Sequence, residues 1–525
     1  MKACSRHRWY DKTFISTLLA LLGVSLPALG GGAPSQENAL LVPVPRAVCG
    51  PGDHPESALQ GQVPAYLRAA GFQGFNCNLQ LIGQSRGDGA NWQSAEFKDS
   101  AGHTCAYHGT AFTTANRTNL GAPVIDVTNP ANPTPTGYLT SISMLDPWES
   151  LKVNATRKLL AADNAHNGAG GPEVDIYDVS GDCRTPQLLA SVAVGTGTDG
   201  GEVAPVIGHE GSWAPDGLTY YGGSPRQRIY YAVDTVDPTA PKLISTFTNP
   251  LPGGLTHGLS ISDDGNRAYL TTLSIPAATD VGNPNFVPTN GLMIVDVSDI
   301  QARKPNPQWR IISTLVYVDG SVAQHTIPVK IGGKPFVIFV DEAGAGGVTL
   351  AGWQAACAAG LPPFPMARII DISDETNPFI VSRLGLETHA AKSCPFVLPD
   401  LVGLATFSYG SHYCSVDNRQ NATTLACGYF NSGIRVFDIR DPVRPKEIAY
   451  YNPAGTTTPS PGSNHAFRGG GWVAGGPDWC NAQVHLDADR GTLWTTCQDN
   501  GLLMLKFTNG AWPFPESSTP PGQQN

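Results

Sequence analysis

A short apolar run that ends in aspartate recurs along this chain, and the recurrence constrains the fold more than any other feature. One copy reads GLMIVDVSD at residues 291–299. Each run has strand length and is rich in Val and Ile, and the Asp with the Ser, Thr or Pro after it suits an Asx-type turn. The aspartates of the six clear copies are Asp126, Asp178, Asp234, Asp296, Asp371 and Asp438. With a degenerate seventh copy at 501–507, this pattern predicts one unit repeated seven times.

Each unit contains further strands around this run. The segment HGLSISDDGNRAYLTT at 257–272 is typical of two strands joined by an Asp-Gly turn, and WRIISTL at 309–315 follows as a last strand. Four antiparallel strands repeated seven times predict an all-β, seven-bladed β-propeller. A composition with 59 Gly, 44 Pro and only 14% charged residues agrees with short strands joined by turns.

The IVDVSD-like strand and its flanking hairpin resemble the LVIVD-repeat family of secreted β-propellers. The resemblance covers residues 77–507 and recurs in every unit. It implies the propeller fold and a surface or periplasmic location. Members of the family mostly have no defined activity, so the resemblance implies little about chemistry.

The seventh unit ends at residue 507 without a fourth strand. The segment CNLQLIGQ at 77–84 is expected to supply that strand, because closure of the ring removes an exposed sheet edge. The predicted organisation is therefore a signal peptide at 1–33, an N-terminal extension at 34–76, a propeller at 77–510 and a disordered tail at 511–525.

The N-terminal residues have the pattern of a targeting segment. Lys2, Arg6, Arg8 and Lys12 precede the apolar run FISTLLALLGVSL, and small residues follow. This predicts a cleaved signal peptide rather than a membrane anchor, since the apolar run is short for a span. We expect a secreted or periplasmic monomer without a transmembrane segment. The net charge of −10 and the lack of a basic block argue against a nucleic-acid partner.

Ten cysteines remain after Cys4, and an even number in an exported chain predicts disulfides rather than free buried thiols. Cys414 and Cys427 are expected to close a loop, and Cys480 and Cys497 to join two strands of unit seven. The other predicted pairs are Cys77–Cys105, Cys357–Cys394 and, by elimination, Cys49–Cys183.

Histidines recur at the predicted starts of the first strands, which meet at one mouth of the central channel. The candidates are His209, His257, His325, His389 and His485, from units three to seven. Imidazole is a common ligand of copper, zinc and non-haem iron, so these residues are candidate metal ligands. The alternative is a structural role, in which polar side chains satisfy backbone groups along the channel.

The same face carries three long predicted loops, at 274–290, 342–366 and 408–432. Long loops are commonly functional. The candidate ligand-binding residues there are Trp148, Glu149, Asp341, Glu342 and Asp499, although each acid could instead cap a turn. Two functions remain open: a module that binds a small molecule, glycan or protein, and a metal-dependent oxidoreductase or lyase using copper, iron or zinc. The absence of a GxSxG, Walker or HExxH motif favours the binding module.

Overall fold

The computed structural model describes residues 41–110, 117–164, 173–195, 197–199, 202–204, 208–404, 406–463, 465 and 472–515. The predicted signal peptide and the start of the predicted extension lie outside these residues. The described strands form seven antiparallel blades, six of four strands and one of five, together with a separate two-stranded hairpin, so the prediction of a seven-bladed propeller is confirmed.

In blades 1 to 6 the four strands pair in chain order. Blade 1 consists of Ser94–Lys98, Thr104–His108, Ala122–Asp126 and Thr134–Leu139. Blade 2 consists of Lys152–Asn154, Leu159–Asp163, Val174–Asp178 and Gln187–Val192. Blade 3 consists of Glu210–Trp213, Thr219–Ser224, Ile229–Asp234 and Lys242–Thr248. Blade 4 consists of Leu259–Ile261, Arg267–Thr272, Gly291–Asp296 and Arg310–Val316. Blade 5 consists of Ser321–Ile331, Lys334–Ala343, Ala367–Asp371 and Phe379–Arg383. Blade 6 consists of Cys414–Val416, Thr424–Gly428, Ile434–Asp438 and Lys446–Asn452. A small hairpin, Gly197–Asp199 with Glu202–Ala204, lies between blades 2 and 3 in the chain.

The repeated aspartate ends the third strand of each of the first six blades and holds the turn that follows. In all six copies its Oδ1 accepts a hydrogen bond from the backbone N–H two residues later, at 2.7 to 3.1 Å. This is the Asx turn that the sequence predicts. A register shift between the third and fourth strands follows in every blade, as in a β-bulge that increases local twist.

Blade 7 closes the ring with an N-terminal strand. Its strands are His485–Asp487, Thr492–Cys497, Gly501–Phe507 and Leu79–Ser85. Leu79 faces Phe507 and Ser85 faces Leu502, which confirms the predicted closure. The preceding strand Phe75–Cys77 pairs with Lys446–Asn452, so it adds a fifth strand to blade 6.

The residues after blade 7 are packed where a disordered tail was predicted. Trp512 is 4% exposed and its ring centroid lies 4.9 Å from that of Phe507. The prediction of a disordered tail is therefore wrong for residues 511–515, and residues 516–525 lie outside the described part of the chain.

The first strand of blade 6 begins later than the sequence analysis places it. His389 lies in the 3-10 helix Glu387–His389, and the first two strands of the blade occupy 414–428. The segment 408–432 thus contains the first two strands of the blade, and the long connection instead precedes the blade, at 384–413. The remaining short helices are Ala65–Ala69, Ile142–Leu145, Ser298–Gln301, Leu350–Ala358, Ala391–Ser393, Cys394–Val397 and Phe430–Ser432.

Ten cysteines form five disulfides, of which three were predicted. Cys357–Cys394, Cys414–Cys427 and Cys480–Cys497 are confirmed. Cys414 and Cys427 are direct partners in neighbouring strands, so their bond does not close an overhanging loop.

The predicted pairs Cys77–Cys105 and Cys49–Cys183 are wrong, because the chain instead forms Cys49–Cys77 and Cys105–Cys183. Cys77 sits on the fifth strand of blade 6, away from Cys105 in blade 1. The five disulfides fit an extracellular or periplasmic location. Among the described residues, no helix is both long and apolar enough to cross a membrane.

Replacing Cys105 and Cys183 together with Ser is expected to lower the free energy of unfolding by about 2–5 kcal/mol. This bond joins residues 78 apart, whereas Cys414–Cys427 joins residues 13 apart. Because a longer closed loop restricts the unfolded chain more, the same double replacement at Cys414 and Cys427 should cost about 1–2 kcal/mol less. Denaturant unfolding of both variants measures the difference, and an equal or reversed order would contradict the prediction.

Candidate functional site

Five ionisable side chains meet at one mouth of the channel, and we call them the channel-mouth cluster. Its members are Glu149, His209, His257, Glu342 and His412. Each comes from a different blade, from the second to the sixth. Four lie before a first strand and Glu342 lies at the end of a second strand, so the strand geometry of the propeller brings them together.

The carboxylate of Glu149 is the centre of the cluster. Its Oε2 lies 3.1 Å from His209 Nε2 and 3.7 Å from His257 Nε2, and its Oε1 lies 3.1 Å from His412 Nε2. The same His412 Nε2 lies 3.4 Å from Glu342 Oε1. One buried carboxylate therefore contacts three imidazoles, and a second carboxylate contacts one of them.

Backbone contacts between neighbouring blades hold this arrangement. Glu149 N–H donates to the carbonyl of His209 at 3.2 Å, and Glu149 forms a parallel bridge with Glu210. Gly258 allows the next blade to approach, because a Cβ there would lie 2.0 Å from Glu210 Oε2 and 2.1 Å from the carbonyl oxygen of Gln324. A side chain at position 258 would therefore displace His257 from the cluster.

Backbone carbonyls fix the orientation of two of the rings. His257 Nδ1 lies 3.1 Å from the carbonyl oxygen of Gln324, and His412 Nδ1 lies 2.8 Å from that of Asn481. A proton on Nδ1 is donated to the carbonyl in each case, which directs Nε2 of each ring towards Glu149. Metal-binding histidines commonly have this second contact, since it sets the tautomer and the ring orientation.

The facing atoms are close without being hydrogen-bonded. Glu149 and His412 are 1% and 0% exposed, and within the described structure neither Glu149 Oε2 nor His412 Nε2 has a hydrogen-bond partner. Buried polar atoms normally have one. Two donor atoms on one tetrahedral zinc ion lie about 3.3–3.5 Å apart, given bonds of about 2.0–2.1 Å. The contacts around Glu149 bracket this spacing.

The charges within the cluster are strongly coupled. Burial alone would raise the pKa of Glu149, but the contacts with His209, His412 and His257 hold it well below its usual value. Burial alone would lower the pKa of His412, yet Glu149 and Glu342 raise it to about 10. The cluster therefore keeps a negative charge at its centre and favours positive charge on His412, whereas burial and the neighbouring His257 lower the pKa of His209.

Three of the five predicted histidines lie apart from the cluster. The rings of His325, His389 and His485 stack on those of Tyr413, Tyr429 and Trp494. Their Nε2 atoms contact the N–H of Cys414, the carbonyl oxygen of Tyr409 and the hydroxyl of Ser94. These contacts match the alternative interpretation of the histidines, in which they have a structural role.

Some of the predicted ligand-binding residues lie at the cluster and others lie elsewhere. Glu149 and Glu342 are in the cluster, and Trp148 adjoins it, because its indole N–H donates to His209 Nε2 at 3.1 Å. Asp341 instead pairs with the buried Arg368 at 2.5 Å, and also accepts hydrogen bonds from Asn290 and Tyr317. That acid has a structural role.

Asp499 belongs to a separate polar group on blade 7. It lies 3.1 Å from His465 Nδ1 and accepts hydrogen bonds from Trp472 Nε1 and from the backbone N–H of Ser460. The neighbouring Asp478 accepts hydrogen bonds from the N–H groups of Trp479 and Asp499. Both acids therefore link the connection before blade 7 to the turn between its second and third strands.

His412 was not predicted, and it occupies the place that the sequence pattern assigned to His389. His412 precedes the strand Cys414–Val416 by two residues, as His257 precedes Leu259–Ile261. Aligning unit six from Cys414 would have identified it. The insertion at 384–413 hides this register, because it shifts the first strand away from the preceding blade.

An aromatic wall lies beside the cluster and consists of Trp92, Trp148, Phe407, Phe430 and Trp479. The ring of Trp92 lies 5.3 Å from that of His412 and 5.2 Å from that of Trp148. Trp148 and Phe407 are only partly buried, so the wall has an accessible edge.

Three residues of this wall have left-handed backbones, with φ of 46° at Trp148, 71° at Phe407 and 35° at Phe430. Bulky residues rarely adopt such angles, which cost about 1–3 kcal/mol each and concentrate at functional sites. The strain thus falls beside the channel-mouth cluster.

Comparison with protein families agrees with the fold. The family model for the LVIVD repeat matches residues 282–301, which include the end of one predicted loop and the third strand of blade 4. The protein is a β-propeller that carries an LVIVD repeat. No curated protein matches the sequence of this chain.

Several solved structures resemble this chain at low sequence identity. A proposed 6-phosphogluconolactonase from Bacteroides uniformis is 12% identical, with a TM-score of 0.44, over 76% of this chain and 94% of that one. A protein from Lactobacillus plantarum is 13% identical, with a TM-score of 0.43, over 75% and 98%. A periplasmic gluconolactonase from Pseudomonas aeruginosa is 13% identical, with a TM-score of 0.44, over 71% and 95%. Similarity at this level is no guide to activity.

Proposed function

We propose that this propeller is a metal-dependent enzyme, an oxidoreductase or lyase, that holds copper, iron or zinc at the channel-mouth cluster. The observation that carries the proposal is the contact of one buried carboxylate, Glu149, with three imidazoles from three other blades. Imidazole and carboxylate together suit these metals. The predicted signal peptide at 1–33 and the five disulfides support export of the enzyme.

The donor chemistry favours a metal over a purely structural network. Glu149 Oε2 faces two imidazole nitrogens and His412 Nε2 faces two carboxylate oxygens, so atoms that commonly bind a metal stand opposite one another here. The carbonyl contacts of His257 and His412 leave their Nε2 atoms directed inward. A cation at this point would satisfy these inward-facing atoms together.

The aromatic wall supports a small organic substrate beside the metal. Trp148 and Phe407 offer partly exposed ring surface, and Trp148 contacts the ligand His209 directly. Aromatic surface of this kind binds apolar or planar groups, while the metal would supply Lewis-acid or redox chemistry. A protein that binds a small molecule without turnover is the second candidate, and it rests on the wall alone. That the protein binds a glycan or another protein stays a prediction.

Metal binding is expected to quench tryptophan fluorescence. Trp148 Nε1 lies 3.1 Å from His209 Nε2, so a paramagnetic ion such as Cu²⁺ at the cluster would be close to the indole. Adding Cu²⁺ to chelator-treated protein should quench the emission and EDTA should restore it. Trp148→Phe should reduce the quenching with little change in affinity, measured by elemental analysis after gel filtration.

The double variant His257→Ala/His412→Ala should lose both the quenching and the bound metal. His485→Ala is the matched control, because its ring stacks on Trp494 outside the cluster, and it should bind metal like the unaltered protein. Equal metal content in all three proteins, or none in the unaltered protein, would refute the metal site.

A further inference from the structure

The channel-mouth cluster divides into two donor sets that share one carboxylate. Around Glu149 Oε2 lie the Nε2 atoms of His209 and His257, at 3.1 and 3.7 Å. Around Glu149 Oε1 lies His412 Nε2 at 3.1 Å, which in turn lies 3.4 Å from Glu342 Oε1. The ligand atoms within each set all lie within 4.8 Å of one another.

We propose that the cluster is a two-metal centre in which Glu149 bridges the ions, one ion being held with His209 and His257 and the other with His412 and Glu342. This rests on the proposed metal function and specifies it. A carboxylate can bind one ion through each oxygen, and protein two-metal sites place their ions about 3.5–4 Å apart.

The geometry favours two ions over one. The two donor sets approach different oxygens of Glu149, because His209 and His257 lie at Oε2 and His412 lies at Oε1. Each set has a buried atom without a hydrogen-bond partner, Glu149 Oε2 in the first and His412 Nε2 in the second. A single ion on one oxygen would leave the other set unsatisfied, which is costly in a buried site.

The two positions differ in donor chemistry. The first set supplies two imidazoles and one carboxylate oxygen, which suit zinc or copper, whereas the second supplies one imidazole and two carboxylate oxygens, which also suit manganese or ferrous iron. His209 is the most replaceable ligand, because its side chain is 25% exposed and the single lone pair of its Nε2 accepts from Trp148, a hydrogen bond that the metal would have to displace. We therefore expect stepwise rather than simultaneous filling.

Backbone contacts behind the ligands support both positions. Gln324 and Asn481 orient His257 and His412 through their carbonyls. Ser411 Oγ donates to the carbonyl of Asp341 at 3.0 Å, which ties the chain before His412 to the residue before Glu342. Both positions are therefore built from several blades, and neither depends on a single loop.

The test is the number of Zn²⁺ ions bound by the full chain after chelator treatment, measured by calorimetric titration and by elemental analysis. The unaltered protein should bind two per chain. His257→Ala and Glu342→Gln should each bind one, because each removes a ligand of one position and leaves the other. His485→Ala should bind two, and circular dichroism checks that every variant is folded.

One ion per chain in the unaltered protein would overturn the two-metal proposal and leave the proposed function standing. Loss of all metal in both His257→Ala and Glu342→Gln would also overturn it, since one shared position would then use both ligands. No metal in any folded protein would instead refute the proposed function itself. Magnetic coupling between two Mn²⁺ ions in the electron paramagnetic resonance spectrum would support the bridge independently of the variants.

Discussion

Glu149→Gln is expected to lower the affinity for Zn²⁺ or Cu²⁺ by at least about 100-fold, because even an outer-shell partner of a metal ligand contributes about 10- to 100-fold. The substitution keeps the size of the side chain but removes the negative charge that faces three imidazoles. Competition with a chelator of known affinity measures the change. Any activity found for the unaltered protein should fall with it.

Glu96→Gln is the matched control for this substitution. Glu96 is a glutamate on the first strand of blade 1 that accepts a hydrogen bond from Trp494 at 2.5 Å and lies outside the cluster. It should bind metal with unchanged affinity. If Glu149→Gln retains normal affinity while folded, Glu149 is not a ligand and the channel-mouth cluster is a structural network.

Arg435→Met is expected to lower the free energy of unfolding by about 3–5 kcal/mol, because it leaves buried acids without their cation. The fully buried Arg435 pairs with Glu447 at 3.1 Å and with Glu56 of the N-terminal segment. The loss should shrink as the pH falls below neutrality, since burial raises the pKa of Glu447 and its protonation removes the uncompensated charge. Denaturant unfolding across pH measures both effects.

Arg444→Met serves as the comparison, because Arg444 is 83% exposed and pairs only with Asp441 among the described residues. Exposed pairs contribute little, so no measurable change is expected. Adding Glu56→Gln and Glu447→Gln to Arg435→Met should recover part of the loss. No recovery would show that the arginine matters through packing on Tyr450 rather than through charge.

The fold could be predicted from the sequence because its signal is local and repeated. Each aspartate at the end of a third strand holds its own turn, so the unit can be recognised from a few consecutive residues. The closing strand could also be predicted, since blade 7 lacks a fourth strand and a propeller does not leave an open edge.

The cluster was predicted only in part, because its members depend on register and on contacts across blades. His209, His257, Glu149 and Glu342 followed from strand starts and ends, whereas the insertion at 384–413 displaced His412. Nothing local separates His325 from His257, although one stacks on Tyr413 and the other faces Glu149. The predicted disulfide partner of Cys49 was also wrong, because the true partner depends on how the N-terminal segment packs.

The segment 75–85 pairs with two blades that are synthesised last. Leu79–Ser85 meets Gly501–Phe507, and Phe75–Cys77 meets Lys446–Asn452. The strands of this segment therefore stay unpaired until more than three hundred further residues have been synthesised. Until then, both ends of the incomplete ring expose strand edges that other chains could pair with. Folding that is delayed until the whole chain has emerged would avoid this exposure. Truncation before residue 501 would leave Leu79–Ser85 without its partner strand, so the ring could not close.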